Sequence, residues 1–507
     1  MDFGISRLER WFEFGKTSRT LCAFVAAHVM LWTLFSLVTR DNLDYWGDMV
    51  ENVAWGQEWQ FGYYKHPPFF AWIAAAWFKL FPHADWAYYI LSQVNVVAGF
   101  IAIYYLARLF LSERQSLLAV MLLEFTPFYT YLAIRFNADA VMLSVWPLAV
   151  LFFARAYESR RAAPSLLFGI LAAFCVMSKY YSFSLLAALF LISILRRERK
   201  EYYSSLSPYI SFLAFLTVLA PHAIWLYRND FLPVFYATSY VVASPLLVVK
   251  KAAAFAGAQV LYLLPMAGVV AAMGGLRIVR HPSPPALGSG RRVALIGFTF
   301  FPFLLSMMVA LAFQIRLKGI WGMPIWFFAG AAIAAHAGPD LAERILPKVR
   351  ILVFRLMALT VVLLPLIAFV MGRANDYYPT FPRRELTALI SDLWRQRTNQ
   401  PLRIVAGTKT YADSICFYHP DHPSVFIFFN YQLSPWISAD RLRSEGIAIA
   451  CFKDDTFCQN QIETMFAGRA ERRNIRLSAR RSLFFNSDPL DFVIALVPPE
   501  AQAPGRK

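Results

Sequence analysis

Charged side chains are scarce in this sequence. Asp, Glu, Lys and Arg together make up 16% of it, against about 25% in an average soluble protein. A 507-residue chain so poor in charge cannot cover a water-facing surface of ordinary extent, which excludes a string of conventional soluble domains. Acids are the scarcer sign, 32 against 49 Lys and Arg. A cationic surplus can mean a nucleic-acid partner, but there is no soluble module with a basic face and interleaved aromatics, so none is expected. The five cysteines are too few for a disulfide scaffold. Cys22 and Cys175 lie in apolar stretches, while Cys416, Cys451 and Cys458 allow one bridge if the C-terminal part lies outside the cytoplasm. No internal repeat is evident.

What is there is apolar: 58% hydrophobic and 17% aromatic residues, gathered into blocks of about the 20 residues that cross a bilayer as helix. The first block, Thr20 to Val38, follows Arg7, Arg10, Lys16 and Arg19. No small-residue cleavage site follows it and many further blocks do, so it reads as an uncleaved first helix rather than a signal peptide. About eleven spans are expected. They begin with Thr20–Val38, Ala87–Leu111, Ser116–Ile134 and Ala138–Ala154, then Ser165–Ser178, Tyr181–Leu195, Pro208–Tyr227 and Ala252–Leu276. Val293–Phe313, Trp321–Ala337 and Ile351–Met371 complete the set. Lys179 divides what could otherwise be one long apolar run. With that division and the N-terminus inside, the inner loops carry about twice as many Lys and Arg as the outer ones, as the positive-inside rule requires. An odd number of spans then puts the C-terminal part outside.

The chain is therefore expected to be a mainly α polytopic membrane protein over residues 1–374, with a first outer loop at 41–86. Residues 375–507 are expected to form a small outer α/β domain. Its helix is read at Arg383–Arg397, and its short buried strands at Leu402–Ala406, Val425–Phe429, Ile447–Cys451 and Phe492–Val497. That part has no Gly-rich phosphate loop, metal-spaced Cys/His set or nucleophile elbow, which leaves packing on, or capping, the outer membrane face as its role. Met49–Trp59 and Phe69–Phe81 read as helices lying along the membrane surface, the second too short to span. His281–Gly290 (HPSPPALGSG) reads as a flexible cytoplasmic connector.

The first outer loop, RDNLDYWGDMVENVAWGQEWQFGYYKHPP, holds the densest set of chemical groups. Asp44, Asp48 and Glu51 stand four and three apart, a spacing that would align them on one helix face. Three carboxylates so close raise one another's pKa unless a cation, a metal or a substrate proton sits among them. Trp46, Trp55, Trp59, Tyr63 and Tyr64 surround them, although aromatics at this depth also serve as interfacial anchors. Further polar groups lie at outer span ends: Arg135, Asn137 and Asp139 in RFNADAVML, Lys179 and Tyr180 in VMSKYYSF, and Arg316, Lys318 and Trp321 in FQIRLKGIWGMP. Ionisable groups in such places are costly and tend to mark function, with snorkelling to the interface as the competing account. Lys250 and Lys251 fit the anchor role better. A carboxylate cluster and separated cations on one face suit transfer from a phosphate-activated lipid: a carboxylate can take the acceptor proton, and cations can hold the departing phosphate.

The string from Asp48 to Pro68 resembles the first periplasmic loop of GT-C glycosyltransferases of the protein-O-mannosyltransferase group. That group includes the aminoarabinose transferases of lipid A and the rhizobial galacturonosyltransferases. Asp48, Trp55, Gln57, Gly62, Tyr63, Tyr64, Pro67 and Pro68 carry the likeness. Asn137 with Asp139, and Ser178-Lys179-Tyr180, resemble the group's patterns in the same order. The resemblance implies a polytopic GT-C fold and an inner-membrane enzyme that moves a sugar from a polyprenyl-phosphate donor to a periplasmic glycolipid or polysaccharide acceptor, such as lipopolysaccharide. It implies Asp48 as catalytic base with Asp139 near the centre, and Lys179, Arg316 and Lys318 at the lipid phosphate. The group commonly has Lys just before the Pro pair. Here His66 stands there with Lys65 before it, so both are donor-phosphate candidates. His66 with the carboxylates is also a candidate site for a divalent metal ion. Asp44, Glu51, Tyr63, Tyr64, Tyr180 and Trp321 complete the set as candidate substrate contacts. A transporter or lipid flippase is the competing reading. It calls for repeated halves and mid-membrane polar sites, whereas the ionisable residues here gather at one face. An envelope assembly protein is a third.

Overall fold

The computed structural model describes residues 16–40, 42–44, 46–242, 244–274, 287–373, 381–481 and 485–500. Arg7, Arg10 and most of the His281–Gly290 connector lie outside the described residues. The apolar blocks become helices α1 (Lys16–Thr39), α4 (Asp85–Ala107), α5 (Glu113–Leu122), α6 (Met142–Ser159), α7 (Ala162–Ser178) and α8 (Phe183–Leu195). The first outer loop contributes two short helices, α2 (Asp48–Gly56) and α3 (Phe69–Phe78), between α1 and α4. Then come α9 (Ser207–Arg228), α10 (Leu232–Thr238), α11 (Pro245–Gly274), α12 (Ser289–Ala312) and α13 (Ala329–Arg373). Six of the described helices are long and apolar enough to cross a membrane, and α7 and α8 are shorter apolar helices.

Three expected spans take a different form. Ser116–Ile134 is helical only as far as Leu122, after which the chain makes 3-10 turns at Leu123–Phe125 and Tyr131–Ile134. Glu124 is drawn aside to His28 (2.7 Å) and the Trp32 indole N–H (3.0 Å), and Pro127 has no N–H to continue a helix. Trp321 lies in a 3-10 turn (Gly319–Gly322), and the expected span Trp321–Ala337 is helical only from Ala329, where it runs together with Ile351–Met371 in α13, which turns at Gly338 (φ 74°) beside Pro339. Polar side chains tie the helices where the apolar effect is weak. Ser165 and Ser207 meet at 2.6 Å between α7 and α9, and the Ser144 hydroxyl donates to Asn95 at 2.6 Å between α6 and α4.

Contacts sort the loops into two sets. Arg114 meets Glu343 at 3.0 Å, and Arg196 and Arg291 both approach Glu158, at 4.0 and 3.6 Å. All five belong to the ends expected inside. At the opposite ends Asp48 meets Arg135, and Lys179 meets Asp139. The break at Lys179 makes this alternation possible. Lys179 is extended (φ −162°, ψ 135°) and ends α7, and α8 starts afresh at Phe183 after one 3-10 turn.

The C-terminal part carries α14 (Arg383–Arg397), as read from the sequence, and a five-stranded sheet. Its strands are β1 (Ile404–Gly407), β2 (Ser424–Val425), β3 (Ile447–Phe452), β4 (Glu471–Leu477) and β5 (Leu490–Val497), in the order β2-β1-β3-β5-β4. β1 pairs parallel with β2 and β3, while β5 is antiparallel to β3 and β4. The expected strand Val425–Phe429 pairs only at Ser424–Val425, since Ile427–Phe429 turns as a 3-10 helix with Phe428 at φ 51°. β4 escaped the sequence reading because ERRNIRL is a charged, exposed edge strand, the kind that blunts a sheet edge with cations. Helices α15 (Lys409–Tyr418), α16 (Ala439–Glu445) and α17 (Thr456–Phe466) connect the strands. The one bridge is Cys451–Cys458, with Cys22, Cys175 and Cys416 free.

α2 corrects the expectation of a helix lying on the membrane surface. Met49 through Gly56 are all buried, because α15 packs on α2 and α3 packs beside it. Around this contact Asp85 accepts from Arg384 (2.5 Å) and the Tyr418 hydroxyl (2.8 Å), the Gln57 amide donates to the Pro423 carbonyl, and His83 stacks on His422 at 3.8 Å. The C-terminal part thus covers the outer loop directly. The loop's returning segment passes α9 at Gly62, where a Cβ would sit 2.3 Å from Trp225 Cε3. Gly62→Ala should therefore lower stability by about 1–3 kcal/mol through overpacking, read as a lower melting temperature in detergent. An unchanged melting curve would mean that Trp225 yields freely.

Candidate active site

Asp48 opens α2, and Gly47 before it takes a left-handed conformation (φ 78°) with a Cβ position 2.9 Å from Thr410 of α15. That turn is capped by Asp44. Its Oδ1 accepts from the N–H groups of Gly47 (2.6 Å) and Asp48 (3.1 Å), and its Oδ2 from Met49 (2.7 Å). The expectation that Asp44, Asp48 and Glu51 share a helix face is corrected here: Asp44 precedes the helix and serves it as a buried cap. Burial pushes the Asp44 carboxyl up, and the neighbouring Asp48 charge adds to this.

The Asp48 carboxylate faces the loop that leads into α6. Its Oδ2 accepts from the Asn137 amide (2.9 Å) and lies 3.5 Å from Arg135 Nε. Asn137 is itself held rigid, because its Oδ1 accepts from the backbone N–H groups of Asp139 and Ala140, both at 3.0 Å. One residue therefore orients Asp48 and shapes the turn that presents Asp139. Asp139 Oδ1 receives Lys179 Nζ at 2.6 Å, with both side chains largely buried, and the ammonium sits 4.5 Å from the Trp321 ring centroid.

These groups line a cavity of about 900 Å³. Its polar lining includes Asp48, Glu51, Lys65, His66, Asn137, Asp139, Lys179 and Lys318, with Tyr180 and Trp321 also in the wall. Apolar side chains of α8 and α12 also line it, among them Phe183, Ala187, Leu305, Met308 and Val309. Tyr236 and Tyr240, from α10 and the turn after it, close a side. Lys318 lies 5.2 Å from the Tyr240 ring centroid. The Tyr180 hydroxyl bonds His222 Nε2 (3.0 Å), whose Nδ1 is 2.6 Å from the Phe61 carbonyl, linking α9 to the loop.

Glu51 is a hub. Its Oε1 takes Lys65 Nζ at 2.9 Å and Lys409 Nζ, from α15, at 2.6 Å. Burial pushes the Glu51 carboxyl up, but Lys409 and Lys65 outweigh it and hold the group down at about 2. Lys409 also bonds Asp413 at 2.5 Å. His66 packs among Trp55, Phe70 and Tyr236. Its burial, followed by the Lys179 charge, lowers its pKa to about 3, so it faces the cavity as neutral imidazole.

Other candidates fall outside the cavity wall. Tyr63 is buried, stacked on Trp55 at 4.9 Å, and its hydroxyl donates to the Trp55 carbonyl at 2.6 Å. Tyr64 packs behind Lys65 against Tyr236 and Phe428. Arg316 lies beside Tyr240, 5.7 Å from its ring centroid. A divalent-metal site at His66 is not assembled: among the described residues no three His, Cys, Asp or Glu groups converge, and the acids nearest His66 are already held by lysines. Lys409 and Asp413 are the residues that sequence reasoning missed. Their i, i+4 spacing signals only a local helix pair.

Residues 65–225 match the family model described as dolichyl-phosphate-mannose-protein mannosyltransferase. No curated protein matches the chain in sequence. Among solved structures, ArnT from Cupriavidus metallidurans bound to undecaprenyl phosphate superposes with a TM-score of 0.60 at 14% identity, covering 94% of this chain and 97% of that one. The same protein in its apo state gives 0.58 at 13% identity, over 93% and 97%. At such identity the likeness speaks for the fold, and it spans nearly all of both chains. The fold is that of the multi-pass GT-C membrane glycosyltransferases, and the family-model match over residues 65–225 supports a glycosyltransferase.

Proposed function

We propose that the enzyme transfers a sugar from a polyprenyl-phosphate donor to a glycolipid or polysaccharide acceptor outside the cytoplasm, lipopolysaccharide being the leading candidate. On this reading it sits in the bacterial inner membrane, with residues 1–374 as the catalytic membrane unit and 375–507 as a periplasmic cap. The observation that carries it is the lining of one cavity, which brings carboxylates and lysines together with apolar side chains from two membrane helices. A lipid phosphate has the same two-part chemistry, and the ArnT structure is described as bound to undecaprenyl phosphate.

The chemistry is a single displacement. The acceptor hydroxyl oxygen forms a bond to the anomeric carbon as the bond from that carbon to the phosphate oxygen breaks. The lipid phosphate leaves with the electron pair, and Asp48 takes the hydroxyl proton. Lys65, Lys179 and Lys318 stabilise the charge that grows on the phosphate, where fixed cations are worth most. Asn137 and Arg135 aim the Asp48 carboxylate. Deleting the gene should remove one sugar from the lipid A or core oligosaccharide, seen as a mass loss in glycolipid spectra. An unchanged glycolipid profile would reject lipopolysaccharide as acceptor and direct the assay to polysaccharide and protein.

A further inference from the structure

Lys65 is the cavity lysine with a carboxylate against it that belongs to its own loop. Left alone, a Lys65–Glu51 pair at 2.9 Å would be closed, with the ammonium committed and the carboxylate repelling any incoming phosphate. The second lysine changes this. Lys409 reaches the same Oε1 atom at the shorter distance of 2.6 Å. It comes from the C-terminal part, it is not in the cavity wall, and its side chain is 14% exposed. Asp413, 2% exposed and one turn along α15, also holds it at 2.5 Å. The Lys409–Asp413 pair therefore turns its ammonium end to Glu51, with its carboxylate kept out of the cavity wall. Lys65, with three N–H donors and a 24% exposed side chain, keeps donors for the cavity. Trp55 braces both cations, with its ring centroid 5.9 Å from Lys65 Nζ and 5.5 Å from Lys409 Nζ.

We infer that Lys409 is a positioning residue for the phosphate site: by sharing Glu51 it leaves Lys65 open to the phosphate, so the C-terminal part completes a site whose wall it does not line. This rests on the reading of Lys65 as a donor-phosphate contact. It also gives the C-terminal part a chemical task beyond covering the loop. The task depends on docking, since Lys409 follows β1 directly and meets Glu51 only when α15 lies on α2.

The test uses the full-length protein in detergent with undecaprenyl phosphate as the probe, and measures binding and melting separately. Lys409→Met combined with Asp413→Leu removes a buried pair as a unit, which such sites tolerate better than a single deletion. This variant should melt near the wild type and bind the lipid phosphate about tenfold more weakly, the scale of one charge-assisted hydrogen bond. Adding Glu51→Gln to this variant should recover part of the lost binding, because Lys65 is then released by a different route. Wild-type binding by the first variant would overturn the inference. So would equally weak binding by both variants, which would give Lys409 a purely structural role. Failure of the wild type itself to bind would overturn the donor reading, and the inference with it.

Discussion

Asp48→Asn should abolish sugar transfer and leave the protein folded, membrane-inserted and able to bind its lipid phosphate. The side chain keeps its size, and the amide oxygen can still accept from Asn137. The contact to Arg135 is 3.5 Å long and partly exposed, the kind of ion pair worth about 0–1 kcal/mol. The melting temperature should therefore move little. What is lost is the proton acceptor, and general-base catalysis of this kind contributes about 10²–10⁴-fold in rate. Transfer from a purified polyprenyl-phosphate sugar, read beside undecaprenyl-phosphate binding, separates the two effects. Full transfer by the variant would remove Asp48 from the base role, and lost binding would make it a substrate contact instead.

Lys179→Met should have the second largest effect, and it needs a control. Lys179 and Asp139 form a 2.6 Å pair, with side chains only 13% and 11% exposed. Removing one partner of a buried pair costs about 3–5 kcal/mol by stranding the other, so a lost activity alone proves little. The informative set is Lys179→Met, Asp139→Asn and the double variant. If Lys179 holds the departing phosphate, transfer falls by about 10²–10³-fold, the loss typical of one positioned stabilising group. The double variant should then regain stability without regaining undecaprenyl-phosphate binding. Asp139→Asn alone should bind at least as well as the wild type, because the ammonium gains a free donor. Restored binding in the double variant would reduce Lys179 to a counter-ion for Asp139.

Much of the membrane architecture was legible because its cause is local. A run of apolar residues crosses lipid as a helix whatever its neighbours do, and cations mark the side that keeps them. The division at Lys179 was read from that charge balance, and it matches an extended residue between two helices. Departures occur where a distant partner intervenes. Glu124 ends a helix early because His28 and Trp32 draw it in from another segment. β4 was passed over because an edge strand needs no apolar face of its own.

The site divides along the same line. The sequence alone determined the kinds of group present and the short-range spacing of Asp48 through Pro68, since these sit in single stretches of chain. Spacing by itself does not separate Asp44 from Asp48; only the family resemblance singles out Asp48 as the base, and it leaves Asp44 as a substrate contact. The left-handed turn at Gly47 makes Asp44 a helix cap instead and leaves Asp48 facing the cavity. Nor could the sequence connect Glu51 to Lys409, two ends of an ion pair on opposite sides of the membrane unit in chain order. Electrostatic and hydrogen-bonding partners are chosen by distance in space, and only the docking of α15 on α2 brings those two groups to 2.6 Å.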